Sequence, residues 1–441
     1  MKSRIRFSTF ALLLIAIVCL YERNAYPTSD NQMPIKVTTW DALGYYLYLP
    51  ATFIYHDIRG LSFYDSIEKK YHLQGEENNF YQFQKNESGF YTGKYFVGVA
   101  VLQLPFFLMA HGIAKVNGEA DGFSSIYQKG IAYGAIFWAF ISLIVLRRFL
   151  LNYYNDLTVG IGLILAILGT NAIQYIAVDN CQSHAWIFPL YVYILVLSDS
   201  WYKRKTILKS IGIGILIGFA MLCRPTEGVI LFIPLLWGYP KNEFSSFVKL
   251  NWVYFLLAGL GMFCILSIQL MYWKYTTNHW VFDVGSKWDF LSPHFRVLFG
   301  EEKGGLLYTP ICLLMLIGLF FIGKEKFSLS IRSFMLLNIW IVIAWHIWRY
   351  GGSYSARALV QSTPIMLLPM LAILQKMLMS KLKIIWGICL LYFLCLNLFQ
   401  VFQYNTGILH CDRNTWAYYQ RIYWKVSVSE EDKKYLQEEA K

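Results

Sequence analysis

Charge is scarce in this 441-residue chain: 15% of its residues are Asp, Glu, Lys or Arg, against about a quarter in a soluble domain. The local patterns of soluble enzymes are missing too. There is no Walker loop, no GxGxxG behind a strand, no HExxH and no GxSxG, so ATP and nucleotide-sugar chemistry are not indicated. The 8 cysteines form no CxxC and have no histidine at metal spacing. They read as small residues of apolar segments. Cys181 and Cys411 are expected on the outer face, with no pattern that pairs them.

What fills the chain instead is apolar surface, 56% hydrophobic and 18% aromatic. Many runs reach the roughly 20 residues that cross a bilayer. Helices satisfy their own backbone groups in lipid, so the fold class is an all-α polytopic membrane protein. The net charge of +12 does not mark a nucleic-acid binder. Its basic residues sit in short clusters between apolar runs, where they set orientation.

Met1 to Arg6 is a basic lead, and Phe7 to Tyr21 is apolar. No small-x-small cleavage site follows, so an uncleaved first helix with a cytoplasmic N-terminus is expected. Residues 24–126 read as a long first extracytoplasmic loop. Within it, 94–115 is apolar enough to span, yet Pro105, Lys94, Gln103, His111 and Lys115 interrupt it. If it spans, Arg147-Arg148, Lys203-Arg204-Lys205 and Lys324-Glu325-Lys326 fall outside; if it lies on the outer surface, all fall in the cytoplasm. The positive-inside bias selects the second case and makes 94–115 a juxtamembrane helix. The remaining spans are expected near 127–148, 157–177, 184–200, 207–223, 226–239, 251–273, 306–323, 331–348, 358–378 and 382–402. That gives about eleven crossings, within a range of 10–13. Residues 1–405 form the membrane domain and 406–441 a short extracytoplasmic tail, solvated and rich in Glu and Lys at its end.

This topology gathers polar residues at the outer mouth. Asp41 stands in Thr39-Trp40-Asp41-Ala42-Leu43-Gly44-Tyr45-Tyr46, an acid among aromatics at the membrane surface. Asp57, Glu87 and Lys94 follow in the same loop, then Asp179, His184 and Arg224 in later outer turns. Asp283, Lys287, Asp289, His294 and Arg296 lie in loop 274–305, and Arg349 and Arg357 flank a Gly-rich turn. Charge near a membrane body is costly and marks candidate sites. Ordinary roles stand beside these. Asp41 can cap a helix, and Arg224 and Arg357 can snorkel to headgroups. His184 can be a core histidine, Lys94 can start an interfacial helix, and Asp57 and Glu87 can be solvated loop carboxylates. Those roles do not explain why several cations and one early acid share a face.

Six stretches carry a family likeness. They are Trp40-Asp41-Ala42-Leu43-Gly44-Tyr45-Tyr46, then Gly93-Lys94-Tyr95-Phe96-Val97-Gly98 leading to Pro105-Phe106-Phe107. Gly169-Thr170-Asn171 with Ser183-His184-Ala185, and Arg224-Pro225-Thr226, come next. Gly304-Gly305-Leu306-Leu307-Tyr308-Thr309-Pro310 and Gly351-Gly352-Ser353-Tyr354-Ser355-Ala356-Arg357 complete the set. In this order they resemble the GT-C class of integral membrane glycosyltransferases, in particular the bacterial protein-mannosyltransferase and lipid-A aminoarabinose transferase group.

The resemblance implies inverting transfer of a sugar from a polyprenyl-phosphate donor on the extracytoplasmic face. Asp41 would fall on the catalytic carboxylate, and Lys94 and Arg357 on contacts to the lipid phosphate. Two positions depart from the family: Ala42 stands where a paired acid often follows, and Tyr95 where a proline commonly does. A second acid would have to come from Asp57 or Glu87, and a divalent cation, Mg or Mn, is left open. The mechanism expected casts Asp41 as general base to an acceptor hydroxyl of a lipid, glycan or protein. Lys94, Tyr95, Arg224, Arg357 and His184 would hold the leaving phosphate. Bacterial inner membrane is the setting the likeness favours. Rival readings are a polysaccharide polymerase or ligase using the same donor, and a transporter or lipid flippase, which would want broken helices in two related halves.

Overall fold

A computed structural model describes residues 6–28, 33–74, 80–238, 244–323 and 325–437. Lys2 and Arg4 of the basic lead, Lys324, the Tyr239 end of the expected 226–239 span and the last four residues of the tail lie outside the described residues. In chain order the elements begin with α1 (Phe7–Ala25), α2 (Asp41–Tyr46), α3 (Tyr48–Phe53) and α4 (Tyr64–Tyr71). A hairpin of β1 (Phe83–Lys85) and β2 (Tyr91–Gly93) leads to α5 (Gly98–Asn117), α6 (Ser125–Leu150) and α7 (Asp156–Leu168). There follow α8 (Ser183–Lys203), α9 (Ile207–Cys223), α10 (Phe232–Leu236) and α11 (Phe244–Thr277). The late elements are α12 (Arg296–Phe299), α13 (Ile311–Gly318), α14 (Ser328–Ile343), α15 (Thr363–Met379), α16 (Lys383–Asn405), α17 (Trp416–Ile422) and α18 (Glu430–Lys433).

Among the described residues, six helical segments are long and apolar enough to cross a membrane: Phe7–Ala25, Gly98–Asn117, Ser125–Leu150, Ser246–Thr277, Arg357–Met379 and Lys383–Asn405. Four shorter apolar helices accompany them. The chain is a multi-pass membrane protein of mostly helical fold. The all-α expectation needs one correction, the two-stranded antiparallel hairpin that pairs Phe83 with Gly93 and Lys85 with Tyr91. That hairpin also moves the start of the helix expected at 94. Residues 91–93 are extended, and the Lys94 N–H is tied to the Gln82 carbonyl at 2.9 Å, so α5 begins four residues later. The span expected at 306–323 is helical only over Ile311–Gly318, because Gly304 and its neighbours close turns first: Leu307 and Tyr308 both donate to the Gly304 carbonyl.

The chain divides into two compact units. The first comprises Arg23–Ser142 and Ile176–Ser286. Its framework is α9 against α11. Gly214 and Gly218 on α9 face the Ala258 and Met262 backbones, and a β-carbon at either glycine would collide with them. Small residues let membrane helices approach backbone to backbone. Thr206 caps α9 by accepting the Lys209 N–H at 3.4 Å. The helix ends at Arg224, which is extended (φ −153°) ahead of Pro225, as residues before proline are.

The second unit comprises Met1–Glu22, Leu143–Tyr175 and Lys287–Lys441. Here α15 is buried almost throughout and packs on α13, α7 and α16. Asn397 of α16 donates to the Leu168 and Thr170 carbonyls at 2.8 and 2.9 Å, satisfying groups left open where α7 ends. The described part of the tail is folded, not merely solvated. Tyr418 and Ile422 are each 1% exposed, Ser429 and Asp432 form a reciprocal capping box, and Gln437 donates to Glu302 at 2.9 Å. The apolar face of Trp416–Ile422 supplies the core contact that its polar neighbours hide from a composition count.

Candidate active site

Asp41 opens α2 within the first unit. The residue before it, Trp40, has φ 51° and ψ −128°. That is a region a bulky side chain rarely occupies, at a cost of about 1–3 kcal/mol. The surroundings hold it there. The Trp40 carbonyl accepts Gln82 Nε2 at 3.0 Å, and its N–H meets the Leu73 carbonyl at 3.3 Å. The result fixes the direction of Asp41.

Two phenols meet the Asp41 carboxylate. Tyr81 and Tyr95 donate to Oδ1 at 2.7 and 2.6 Å. Burial, and after it the Asp41 charge, pushes both phenols well above the ordinary tyrosine range, so both remain protonated donors at neutral pH. With Oδ1 held twice, the carboxylate cannot rotate. The Tyr45 and Tyr95 rings lie 4.6 Å apart, which keeps Tyr95 in place. The Lys94 ammonium stands 5.7 Å from the Tyr81 ring centroid, within cation–π range.

The hairpin and α11 place Lys94. Gly93 N–H donates to the Tyr272 hydroxyl at 2.9 Å, and Asn86 Nδ2 to the Thr276 carbonyl at 2.8 Å. On the other side of Lys94, the Tyr95 carbonyl accepts the Tyr48 hydroxyl at 2.5 Å, and Val97 N–H reaches Gln269 Oε1 at 3.0 Å.

His184 and Arg224 form the next pair, with Arg224 Nη1 3.5 Å from His184 Nδ1. Arg224 Nε also faces Glu227 Oε1 at 3.9 Å, and Glu227 accepts the Tyr191 hydroxyl at 2.5 Å. His184 is 4% exposed and Glu227 3%. This buried carboxylate is the counter-charge that keeps Arg224 at the end of α9.

Two contacts join the Asp41 group to the His184 group. Cys181 donates its thiol to the Ala42 carbonyl at 3.9 Å, while Gln103 Nε2 holds the Cys181 carbonyl at 3.2 Å. Gly98, four residues after Lys94, lies directly on the Leu222–Cys223 peptide, with no room for a β-carbon. Arg224 is the next residue. These contacts, with short stretches of chain from Lys94 to Gly98, from Cys223 to Arg224 and from Cys181 to His184, tie Asp41, Lys94, Arg224 and His184 into one packed group. The buried Arg23 joins from α1: it donates to the Val178 carbonyl and feels the charge of Asp179.

Other expected site residues stand elsewhere. Tyr95, assigned by sequence to the phosphate, gives its hydroxyl to Asp41. Asp57 closes a loop, accepting Gly60 N–H at 2.7 Å and the Ser62 N–H and hydroxyl at 2.8 and 2.7 Å. These bonds, led by the Ser62 hydroxyl, hold its pKa below the usual carboxylate value. Glu87 is exposed in the turn between β1 and β2. Arg357 belongs to the second unit, is 7% exposed and starts a 3₁₀ turn over Arg357–Ser362.

Sequence reading missed Lys303, which is 1% exposed. Its ammonium donates to the carbonyls of Gly351 at 2.7 Å, Ser353 at 3.2 Å and Cys411. Burial, then repulsion from Arg357, pushes its pKa down to about 7. Beside it, Glu302 binds Arg349 at 2.6 Å. Asp289 accepts from His294 and His346 at 3.0 and 2.9 Å.

Two phenols take Asp41 Oδ1, so a divalent ion at this carboxylate would have to bind through Oδ2. Both phenols donate into Oδ1, a cation stands beside them, and Asp41 is the charged acid bearing on both phenols. Among the described residues, one group of three ligand-type side chains comes together, His410, Cys411 and Asp412 of the second unit. His410 Nδ1 already accepts the N–H groups of Asp412 and Arg413 at 3.2 and 3.1 Å, as a turn-closing acceptor does.

No protein-family model matches the chain, and no characterised protein sequence matches it. Solved structures do. The chain superposes on the archaeal oligosaccharyltransferase AglB from Archaeoglobus fulgidus, in complex with an inhibitory peptide and a dolichol-phosphate. The TM-score is 0.55 and the identity 10%, over 97% of this chain and 58% of that one. The A. fulgidus oligosaccharyltransferase complex with Zn and sulfate gives 0.54 and 12%, over 97% and 57%. The apo form gives 0.54 and 10%, over 97% and 59%. This chain thus spans under three fifths of the length of those proteins. What the likeness establishes is the fold, shared with part of each of these archaeal oligosaccharyltransferase structures over 97% of this chain.

Proposed function

We propose that this protein is a membrane glycosyltransferase that moves a sugar from a polyprenyl-phosphate donor to an acceptor hydroxyl, with inversion. The observation that carries the reading is the packed group, joined by side-chain contacts and short stretches of chain, that holds one oriented carboxylate with Lys94, Arg224 and His184. The presence of dolichol-phosphate in the AglB complex makes a lipid phosphate a natural ligand for this fold.

The donor phosphate leaves with its charge, so the protein has two tasks. It must hold the acceptor in line with the anomeric carbon, and it must stabilise the departing anion. Asp41 takes the acceptor proton, with Tyr81 and Tyr95 fixing its direction. Lys94 serves the phosphate as a point charge and Arg224 as a forked donor, with His184 beside it. Asp41 acts without a second acid, and no step runs through a metal. The acceptor is a lipid, glycan or protein. Eleven crossings, a cytoplasmic N-terminus and a site on the extracytoplasmic side of a bacterial cell membrane belong to the same proposal.

The test is product release. Purified protein in vesicles, given polyprenyl-phosphate sugars and a membrane extract as acceptor source, should liberate polyprenyl phosphate in an extract-dependent way. Failure across hexosyl and pentosyl donors, together with movement of the intact donor across the vesicle, would replace the transferase reading with a flippase one.

A further inference from the structure

The first unit contains a second feature that the transfer reaction does not use. A cavity of about 310 Å³ lies among α8, α9, α10 and α11. On α9 its wall is Ser210, Ile213, Gly214 and Ile217, one helical face at i, i+3, i+4 and i+7. Ala258 and Gly259 of α11 face them. The wall is almost wholly apolar. Two lining residues carry hydroxyls, Ser210 and Tyr254, and Ser210 Oγ is already bonded to Trp201 Nε1 at 2.8 Å and to the Thr206 carbonyl at 3.2 Å. A water would find too few partners there. Only 11% of the apolar stretch of α11 is buried inside the protein, so the cavity borders a lipid-facing helix. A hydrocarbon chain is the occupant its chemistry admits.

Charge at one end narrows the choice. Trp201 lines the cavity, and the Lys205 ammonium stands 5.5 Å from the Trp201 ring and 5.2 Å from the Phe247 ring. Arg204 beside it is exposed. The neighbouring cations are engaged: Lys203 pairs with Asp199 at 2.7 Å, and Lys209 donates to the Ser200 and Arg204 carbonyls at 2.7 and 2.9 Å. Moving a chain from bilayer to cavity gains little hydrophobic energy, since lipid tails are as apolar as the wall. Selectivity must therefore come from the headgroup, and basic pockets between membrane helices favour anionic ones.

We propose that this cavity holds one acyl chain of an anionic glycerophospholipid, with the lipid phosphate against Lys205 and Arg204. The site is separate from the candidate active site. Arg224 lies at the opposite end of the 17-residue helix α9 from the Lys205 headgroup position, about 25 Å along the helix, and about 10 Å beyond Ile217, the last α9 residue of the wall, at 1.5 Å per residue.

Gly259 offers a clean test, because a β-carbon there meets no atom within 4 Å. The full chain would be equilibrated with vesicles of mixed phosphatidylcholine and phosphatidylglycerol, extracted, and its retained lipids counted by native mass spectrometry. Wild type should keep one phosphatidylglycerol in preference to phosphatidylcholine. The preference should fall about fivefold for each of Lys205→Ala and Arg204→Ala. Gly259→Leu should lose the retained lipid while melting at an unchanged temperature in pure phosphatidylcholine. Equal retention of both lipids by wild type would overturn the proposal, as would full retention by Gly259→Leu. Displacement of the lipid by added polyprenyl phosphate would also overturn it, since the cavity would then belong to the donor.

Discussion

Asp41→Asn should lower sugar transfer by about 10²–10⁴-fold, the usual worth of a general base, while the protein remains folded and inserted. An asparagine carbonyl oxygen can still accept the hydroxyls of Tyr81 and Tyr95, which bond Asp41 Oδ1 at 2.7 and 2.6 Å. The geometry should therefore survive and only proton acceptance be lost. Donor affinity should change little, because the phosphate contacts assigned to Lys94 and Arg224 are untouched. The measurement is single-turnover transfer beside donor binding in the same preparation. Undiminished transfer would remove Asp41 from the reaction.

Lys303→Met should destabilise the second unit by on the order of 2 kcal/mol above pH 8, and by less at pH 6, because a pKa lowered to about 7 means that the fold disfavours the charged amine. The lysine is 1% exposed and satisfies the carbonyls of Gly351, Ser353 and Cys411. Methionine fills similar space but removes a donor from all three. The Gly351 carbonyl keeps the Ser353 hydroxyl at 3.3 Å and the Cys411 carbonyl the Ser353 N–H at 3.4 Å. The main loss is therefore at the buried Ser353 carbonyl, worth about 1–3 kcal/mol before relaxation. Thermal unfolding in detergent reads the effect. A melting temperature equal to that of wild type above pH 8 would mean that water replaces the amine without loss.

The helical membrane architecture was readable because apolar runs of spanning length are a long-range signal that no local detail reverses. Helix edges such as 207–223 came through intact, bounded by the Thr206 cap and by Pro225. The hairpin at Phe83–Gly93 was not legible: three-residue strands have no periodicity to detect, and the bonds that anchor it come from Tyr272 and Thr276 of α11, far along the chain. Asp41, Lys94, His184 and Arg224 stood out as charge in apolar company. Tyr81 did not, because one tyrosine among 32 carries no mark of the carboxylate it meets. Lys303 was hidden for a related reason. A lysine beside two glutamates looks solvated until the carbonyls of Gly351, Ser353 and Cys411 are seen around it. Asp57 stood out falsely, since a carboxylate closing its own loop looks the same in sequence as one awaiting a substrate.

The most direct measurement is a double-mutant cycle on polyprenyl phosphate binding, using Lys94→Ala, Arg224→Ala and the pair. If both cations hold one phosphate, the second loss should cost much less than the first, with a coupling of about 1 kcal/mol or more. Losses that simply add would mean that the two cations serve different partners, and the shared site would be wrong.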